Sequence, residues 1–305
     1  MVNGKVLFGL GLESGCDQVE VILRHARAAD EARLDFFSVG DHPYFADRVD
    51  AYATLGFVLG ATKTIGGTVI CTNLLSRPAP ILARTIAGLS VLSGDRVVLV
   101  VGAGGNWDEI IALGVPRLSP GARIRALEEA IVLTRALTGG GDPITFEGEF
   151  YQVYDLAPTV APTPPIWVGC GGPKGLAVTG RHADGWIPPH AADWRSTLVA
   201  QSRLLIDEAA TSVDKDPREV GTIYNVAGPI ARDPVPSSQT RTDTGRWNGG
   251  GVIQWIEELS YAVLDCGATA FNYVVPPGGA ELDDTTLKLW AYEVVPAVRE
   301  VTSHR

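Results

Sequence analysis

Short apolar runs and helix-like segments alternate along almost the whole chain, and this rhythm limits the fold more than any other feature. Strand-like runs are read at Val6–Leu12, Phe36–Val39, Thr64–Thr72, Arg96–Gly102, from Ile166, at Gly185–Ile187, Val220–Ala227 and Ala270–Val275. Between them, helical spacing marks Val19–Arg33, Ala51–Thr62, Ala79–Leu92, Arg123–Leu137, Gly175–His182, Trp194–Ala210, Val252–Asp265 and Thr285–Val301. Strands separated by helices run parallel. Continuous apolar strands such as Val97–Val101 suit a sheet buried on both faces. About eight repeats in 305 residues favour a closed (β/α)8 barrel in one domain over an open doubly wound sheet.

Two stretches break the rhythm. Pro143–Leu156 alternates as a hairpin would, within an excursion of about residues 140–165. Residues 231–251 are rich in Pro, Ser, Thr, Asp and Gly and read as a long mobile loop, a candidate lid.

Barrel active sites lie at the carboxyl ends of the strands. Glu13, Asp41, His42, Asn73, the turn Gly102–Gly105, Gly169–Lys174 and Trp186–His190 all fall there. In Ile166–Lys174 an apolar strand runs into Gly169, Cys170, Gly171 and Gly172 and then opens a helix. Free N–H groups and the helix dipole at such a point suit a phosphate, and Lys174 adds a charge. The alternative is a tight turn that needs glycine only for its geometry. At Asp41-His42-Pro43, an imidazole titrating near neutrality suits proton transfer or a bond to a ring edge, with Asp41 orienting it. The alternative is an Asx turn before Pro43 with His42 exposed.

The formal charge of −10 and the lack of a basic patch argue against a nucleic-acid partner. No apolar run reaches the length of a membrane span, and Met1–Val6 lacks a signal-peptide pattern, so a soluble cytoplasmic protein is expected. Cys16, Cys71, Cys170 and Cys266 form no CxxC, and HExxH is absent, so no metal site is expected. Cys71 and Cys170, both at strand ends, read as wall residues and not nucleophiles.

Several stretches in conserved order carry a resemblance. They are Phe36–His42, Ile65–Ile70, Arg77–Arg84 leading into Leu89–Val97, Gly102–Glu109 with Ala112–Gly114, Pro143–Glu149, Pro165–Gly169 with Arg181–Trp186, and Trp290–Pro296. Together they resemble the bacterial-luciferase-like monooxygenase family of FMN- or coenzyme F420-dependent oxidoreductases. The resemblance implies a (β/α)8 barrel with insertions at the carboxyl rim and a cofactor across the strand ends. It implies that Asp41 and His42 face the tricyclic ring, and that a non-proline cis peptide at Val69-Ile70 lies beneath it. It implies a phosphate cup at Gly169–Lys174 lined by Trp186, with Asn73, Gly102, Gly104 and Gly105 beside the ring. In sugar-phosphate dehydrogenases of this kind a glutamate follows the glycine turn; here Gly105 stands there, which argues against that activity.

The pair Asp41-His42 and the Ala/Gly/Val-rich composition favour F420, and with it hydride exchange with a small organic substrate. Lys63, Arg77 and Lys174 are candidate partners for its acidic tail. An FMN monooxygenase using oxygen is the alternative, and a non-catalytic binding protein of the same family a further one. The helices 51–62 and 79–92 are apolar on more than one face, so a homodimer is expected.

Overall fold

The computed structural model describes residues 5–189, 192–275 and 282–303. Eight parallel strands form its staves: β1 (Leu7–Leu12), β2 (Phe36–Val39), β3 (Gly66–Val69), β4 (Val97–Gly102), β5 (Ile166–Gly169), β6 (Gly185–Ile187), β7 (Gly221–Val226) and β8 (Ala270–Val274). Each pairs with its sequence neighbours, and β8 returns to β1 through Phe8 opposite Phe271. Pairing of Gly67 with Val97 and Thr68 with Val98 joins β3 to β4 and closes the ring. Ten helices follow in chain order: α1 (Val19–Glu31), α2 (Ala51–Ala61), α3 (Ala79–Ser93), α4 (Trp107–Ala112), α5 (Pro120–Ala136), α6 (Pro173–His182), α7 (Thr197–Thr211), α8 (Val252–Leu264), α9 (Asp284–Leu289) and α10 (Val295–Val301). The alternation therefore does build a (β/α)8 barrel.

Side chains alternate across each strand. Phe36, Val100, Trp167, Ile187, Ile223 and Ala270 fill the barrel interior. Phe8, Leu10, Phe37, Val69, Val168, Tyr224 and Phe271 point outward into the larger core beneath the helices. Each such burial contributes about 1.5–3 kcal/mol. Towards the carboxyl end the interior turns polar. Asn272 Nδ2 donates to Ser38 Oγ and to Asn225 Oδ1, each at 2.9 Å, so a satisfied amide ladder floors the mouth.

Local chemistry sets the helix starts. Asp50 caps α2 by accepting from the N–H groups of Tyr52 and Ala53, and Ser119 caps α5 ahead of Pro120. The α6–α7 contact is close because residue 180 is glycine: a Cβ there would collide with the Ile206 carbonyl.

Three details add to the sequence reading. Strand three is interrupted: the Ile70–Cys71 peptide is cis, and Thr72–Asn73 then pairs with Val101 and Gly102 of β4. The hairpin, Ile144–Glu147 with Gln152–Leu156, lies along the outside of α5, where Glu129 accepts from the N–H groups of Glu149, Phe150 and Tyr151. The 231–251 stretch makes anchoring contacts that its composition does not suggest. Ile230–Ala231 pairs with Gly250–Gly251, Trp247 is buried, and Arg241 reaches Glu258 at 2.6 Å.

Candidate active site at the carboxyl rim

The loop after β2 is anchored before it can do chemistry. Asp41 is fully buried and accepts from Arg77 Nη2 at 2.8 Å, Arg77 Nε at 3.2 Å and the Asn73 N–H at 3.0 Å. Asn73 Nδ2 returns a bond to the Asp41 carbonyl at 2.8 Å. Arg77 also reaches Asp50 at 2.6 Å and lies over the Tyr52 ring. Desolvation opposes the charge on Arg77, but the two carboxylates outweigh it and hold its pKa well above normal. Thus Asp41 binds the ends of β2 and β3 to the start of α2, and both its oxygens are occupied by that task.

His42 follows, half-buried. Its Nδ1 lies 2.7 Å from the Tyr44 hydroxyl, and its Nε2 lies 3.7 Å from Glu13 Oε1 at the end of β1. Asn106, just beyond the glycine turn, donates to the same hydroxyl at 3.1 Å. The rings of Tyr44 and Phe45 pack beside the imidazole. Three strand ends, those of β1, β2 and β4, therefore converge on one imidazole.

The ends of β3, β4 and β5 form a flat wall. A Cβ on Gly169 would sit 2.8 Å from Cys71 Sγ, and one on Gly102 3.5 Å from Cys71 Cβ. Glycine lets the three backbones close around that thiol. Gly104 takes a φ of 83°, in the region that favours glycine, and Gly105 opens onto free space. Burial pushes the Cys71 thiol up to about 12 and the Cys170 thiol up to about 11. Both stay protonated at neutral pH and suit a wall, not a nucleophile. Beyond them, Gly171, Gly172 and Lys174 are exposed at the start of α6, and no side chain caps that helix. Its first N–H groups are left for an external acceptor. A backbone cup without Cβ atoms, next to a glycine-walled rim, fits a flat ring carrying a phosphate.

Other sequence candidates fall elsewhere. Val69 points outward and is buried in the helix-side core; the cis bond lies one residue later than expected, at Ile70–Cys71. Trp186 also faces outward, fully buried, and its Nε1 steadies the Cys170 carbonyl at 2.9 Å from behind. Trp107 packs under the turn, with Nε1 donating to the Gly104 carbonyl and Arg123 stacked on its ring. Lys63 precedes β3, at the opposite end of the barrel from the rim, and Arg77 is taken by Asp41 and Asp50. Lys174 alone of the proposed tail cations stands exposed at the rim. His182 contacts Glu128 at 3.0 Å; burial lowers its pKa and Glu128 counters. His190 lies outside the described residues. Tyr44 and Asn106 were not singled out by sequence, because neither belongs to a spaced motif. Among the described residues no three His, Cys, Asp or Glu side chains gather as a metal site requires, and no helix is long and apolar enough to cross a membrane.

A parallel eight-stranded barrel with a histidine, a glycine wall and an open helix start on one rim defines a class: barrels that hold a flat cofactor across their strand ends. The chain belongs to the luciferase-like monooxygenase family, whose model matches residues 6–233. It is 29% identical over 245 residues to an F420-dependent hydroxymycolic acid dehydrogenase of Mycobacterium tuberculosis, across 76% of this chain and 65% of that one. It is 32% identical over 209 residues to an F420-dependent glucose-6-phosphate dehydrogenase of Microbacterium testaceum, across 65% of this chain and 60% of the relative. The chain thus spans less than two thirds of the length of these relatives. Its fold superposes on that of an F420-dependent secondary alcohol dehydrogenase in complex with an F420-acetone adduct, with a TM-score of 0.81 at 22% identity, over 96% of this chain and 99% of the other.

Proposed function

We propose that the protein is a coenzyme F420-dependent oxidoreductase that exchanges a hydride with a small organic substrate. The observation that carries this reading is the rim itself: His42, held by Tyr44 and facing Glu13, stands on the same rim as the glycine wall and the open start of α6. The F420-dependent relatives support this coenzyme over FMN. Gly169–Lys174 would hold the phosphate, and Cys71, Gly102 and Gly104 would lie against the ring. Bound there, the coenzyme supplies the hydride chemistry. The chain's own residues orient the substrate and move its proton at His42.

Gly105 leaves open space where an acid would stand, and both arginines near His42 are committed, Arg48 to Asp47 and Arg77 to Asp41. Both facts speak against a sugar-phosphate substrate. We read the chain as one barrel domain. Phe57, Ile81, Val91 and Leu92 stand exposed on α2 and α3 and support a homodimer through that face. Four free thiols suit a reducing compartment such as the cytoplasm.

The test is titration of the purified protein with F420 and with FMN, followed by tryptophan fluorescence and then by oxidation of each reduced cofactor. Saturable binding of F420 and oxygen-independent turnover are expected. Preferred binding of FMN with oxygen-dependent turnover would make the protein a monooxygenase. Binding without turnover would make it a binding protein, and binding of neither would remove all three.

A further inference from the structure

A neutral imidazole cannot donate its Nε2 proton unless Nδ1 gains one, because the imidazolate that would remain is too basic to form near neutrality. The surroundings of His42 supply that second proton. Tyr44 Oη accepts from Asn106 Nδ2 at 3.1 Å and lies 2.7 Å from His42 Nδ1. An amide N–H can only donate, so the phenol accepts on that side and keeps its single proton free to turn towards Nδ1. With the phenol donating there, a neutral ring carries its own proton on Nε2, the edge that faces Glu13 Oε1 at 3.7 Å. Burial raises the Tyr44 pKa, which Asn106 partly offsets, so the phenol is protonated at neutral pH. The charged groups around the pair are Glu13 from β1, Arg48 at 3.8 Å from Glu13, Asp41 from the same loop and Glu109 from α4. No acid comes from the glycine turn, since Gly105 leaves open space there.

We infer that Tyr44 is a positioning residue: held by Asn106, it fixes His42 as the Nε2–H tautomer and reloads Nδ1 when Nε2 gives its proton to a substrate oxygen, which makes a carbonyl–alcohol pair the substrate class. This rests on the oxidoreductase reading above. In carbonyl reduction the hydride brings both electrons to the carbon. The Nε2–H bond breaks as the new O–H bond forms, and the Tyr44 O–H bond breaks as Nδ1–H forms. The phenolate, held by the Asn106 amide, regains its proton from solvent, from which Tyr44 is only half-buried. Alcohol oxidation runs the same transfers backwards.

The test uses Tyr44→Phe, with Asn106→Ala as a milder second variant. The tautomer is read first, by two-bond nitrogen–proton NMR of the protein labelled on its histidine rings, with His42→Gln assigning the signal. The wild type should show one neutral tautomer with Nε2 protonated, and both variants a mixture. Turnover is read next, with reduced F420 and the probes acetone, cyclohexanone and benzaldehyde. Tyr44→Phe should lower kcat about 100-fold, leave KM within about twofold and displace the pH profile of kcat. A single unchanged tautomer in Tyr44→Phe, or an unchanged kcat and pH profile, would overturn the role of Tyr44 alone. A wild type that oxidises reduced F420 with none of the probes would overturn the carbonyl class, and failure to bind F420 would instead strike the oxidoreductase reading.

Discussion

Arg77 Nη2 lies 2.8 Å from Asp41 Oδ1, and the same nitrogen lies 2.6 Å from Asp50 Oδ2. One guanidinium thus ties the residue next to His42 to the cap of α2. Asp41 has no exposed side-chain surface, whereas Arg77 keeps a fifth of its own. Breaking one side of a buried pair leaves the other charge without compensation, at a cost of about 3–5 kcal/mol.

Arg77→Met should therefore cost about 3 kcal/mol in urea unfolding. Adding Asp41→Asn should restore part of that, since the stranded carboxylate is then neutral. A loss below about 0.5 kcal/mol would mean that the pair behaves as a surface ion pair does.

Asp30, near the end of α1, performs a similar task at the other end of the barrel. Its Oδ1 accepts from Thr64 Oγ1 at 2.6 Å, the Thr64 N–H at 2.9 Å and the Ile65 N–H at 2.7 Å, while Oδ2 takes the Lys63 N–H at 2.7 Å. Desolvation acts to raise its pKa, but the bonds from Thr64, Lys63 and Ile65 bring it from 3.8 down to about 2. The folded pKa is depressed, so the stabilisation is present above the unfolded value and is lost as pH falls towards 2. Solvent screening at this part-exposed carboxylate limits the effect to about 1 kcal/mol. Urea midpoints measured from pH 5 to pH 2 should fall more steeply in the wild type than in Asp30→Asn. Parallel slopes would refute the assignment.

The sequence carried the barrel because its signals are periodic. Most strands are runs of buried residues and the helices carry their own spacing, both visible in a single chain, although the Ser119 cap that starts α5 at Pro120 was not read. The glycines of the wall were legible for a similar reason, since glycine at the ends of β4 and β5, at Gly102 and Gly169, is a residue-level signal. Side-chain direction was less so. Trp186 and Val69 sit at the ends of strands, but a strand sends alternate residues to opposite faces, and one residue of phase decides which face is the mouth. Long-range partners were not legible at all. That Arg77 would claim Asp41, 36 positions away, or Asn106 would reach Tyr44, 62 away, depends on the closure of the barrel. The anchoring of 231–251 was not legible either, because its composition resembles a free loop and the partner of Arg241, Glu258, lies on α8.

Glu258 is the clamp for that stretch. It accepts from Trp194 Nε1 at 2.7 Å, from Arg195 Nε at 3.0 Å and Nη2 at 2.9 Å, and pairs with Arg241 at 2.6 Å. Desolvation works against the carboxylate, but Arg195, Arg241 and Trp194 hold its pKa below the usual range. Its contribution is therefore present above the unfolded carboxylate pKa and lost as pH falls through the lowered folded value. Glu258→Gln should cost about 2–3 kcal/mol, because two arginines lose their counter-charge. It should also open residues 231–251 to trypsin at Arg241 and Arg246, which the wild type should resist. Equal cleavage rates in both would show that Glu258 does not hold the segment.

The thiols offer a probe of the rim that needs no cofactor. Cys16 is exposed, whereas Cys71 and Cys170 are part-buried and burial lifts their pKa values to about 12 and about 11. Burial also raises Cys266, with the Tyr261 hydroxyl and Arg195 acting the other way. The thiolate is the reactive form, so at pH 8 the rim thiols should be slowed both by protonation and by access. Titration of the native protein with a disulfide reagent should release one equivalent quickly, from Cys16, and a slower one from Cys266. Cys71 and Cys170 should react only after unfolding in guanidinium, and Cys16→Ser should abolish the fast phase alone. Peptide mapping that finds Cys71 or Cys170 modified in the fast phase would mean that the wall formed by β3, β4 and β5 opens readily, and a wall that opens so readily would not hold a flat ring in place.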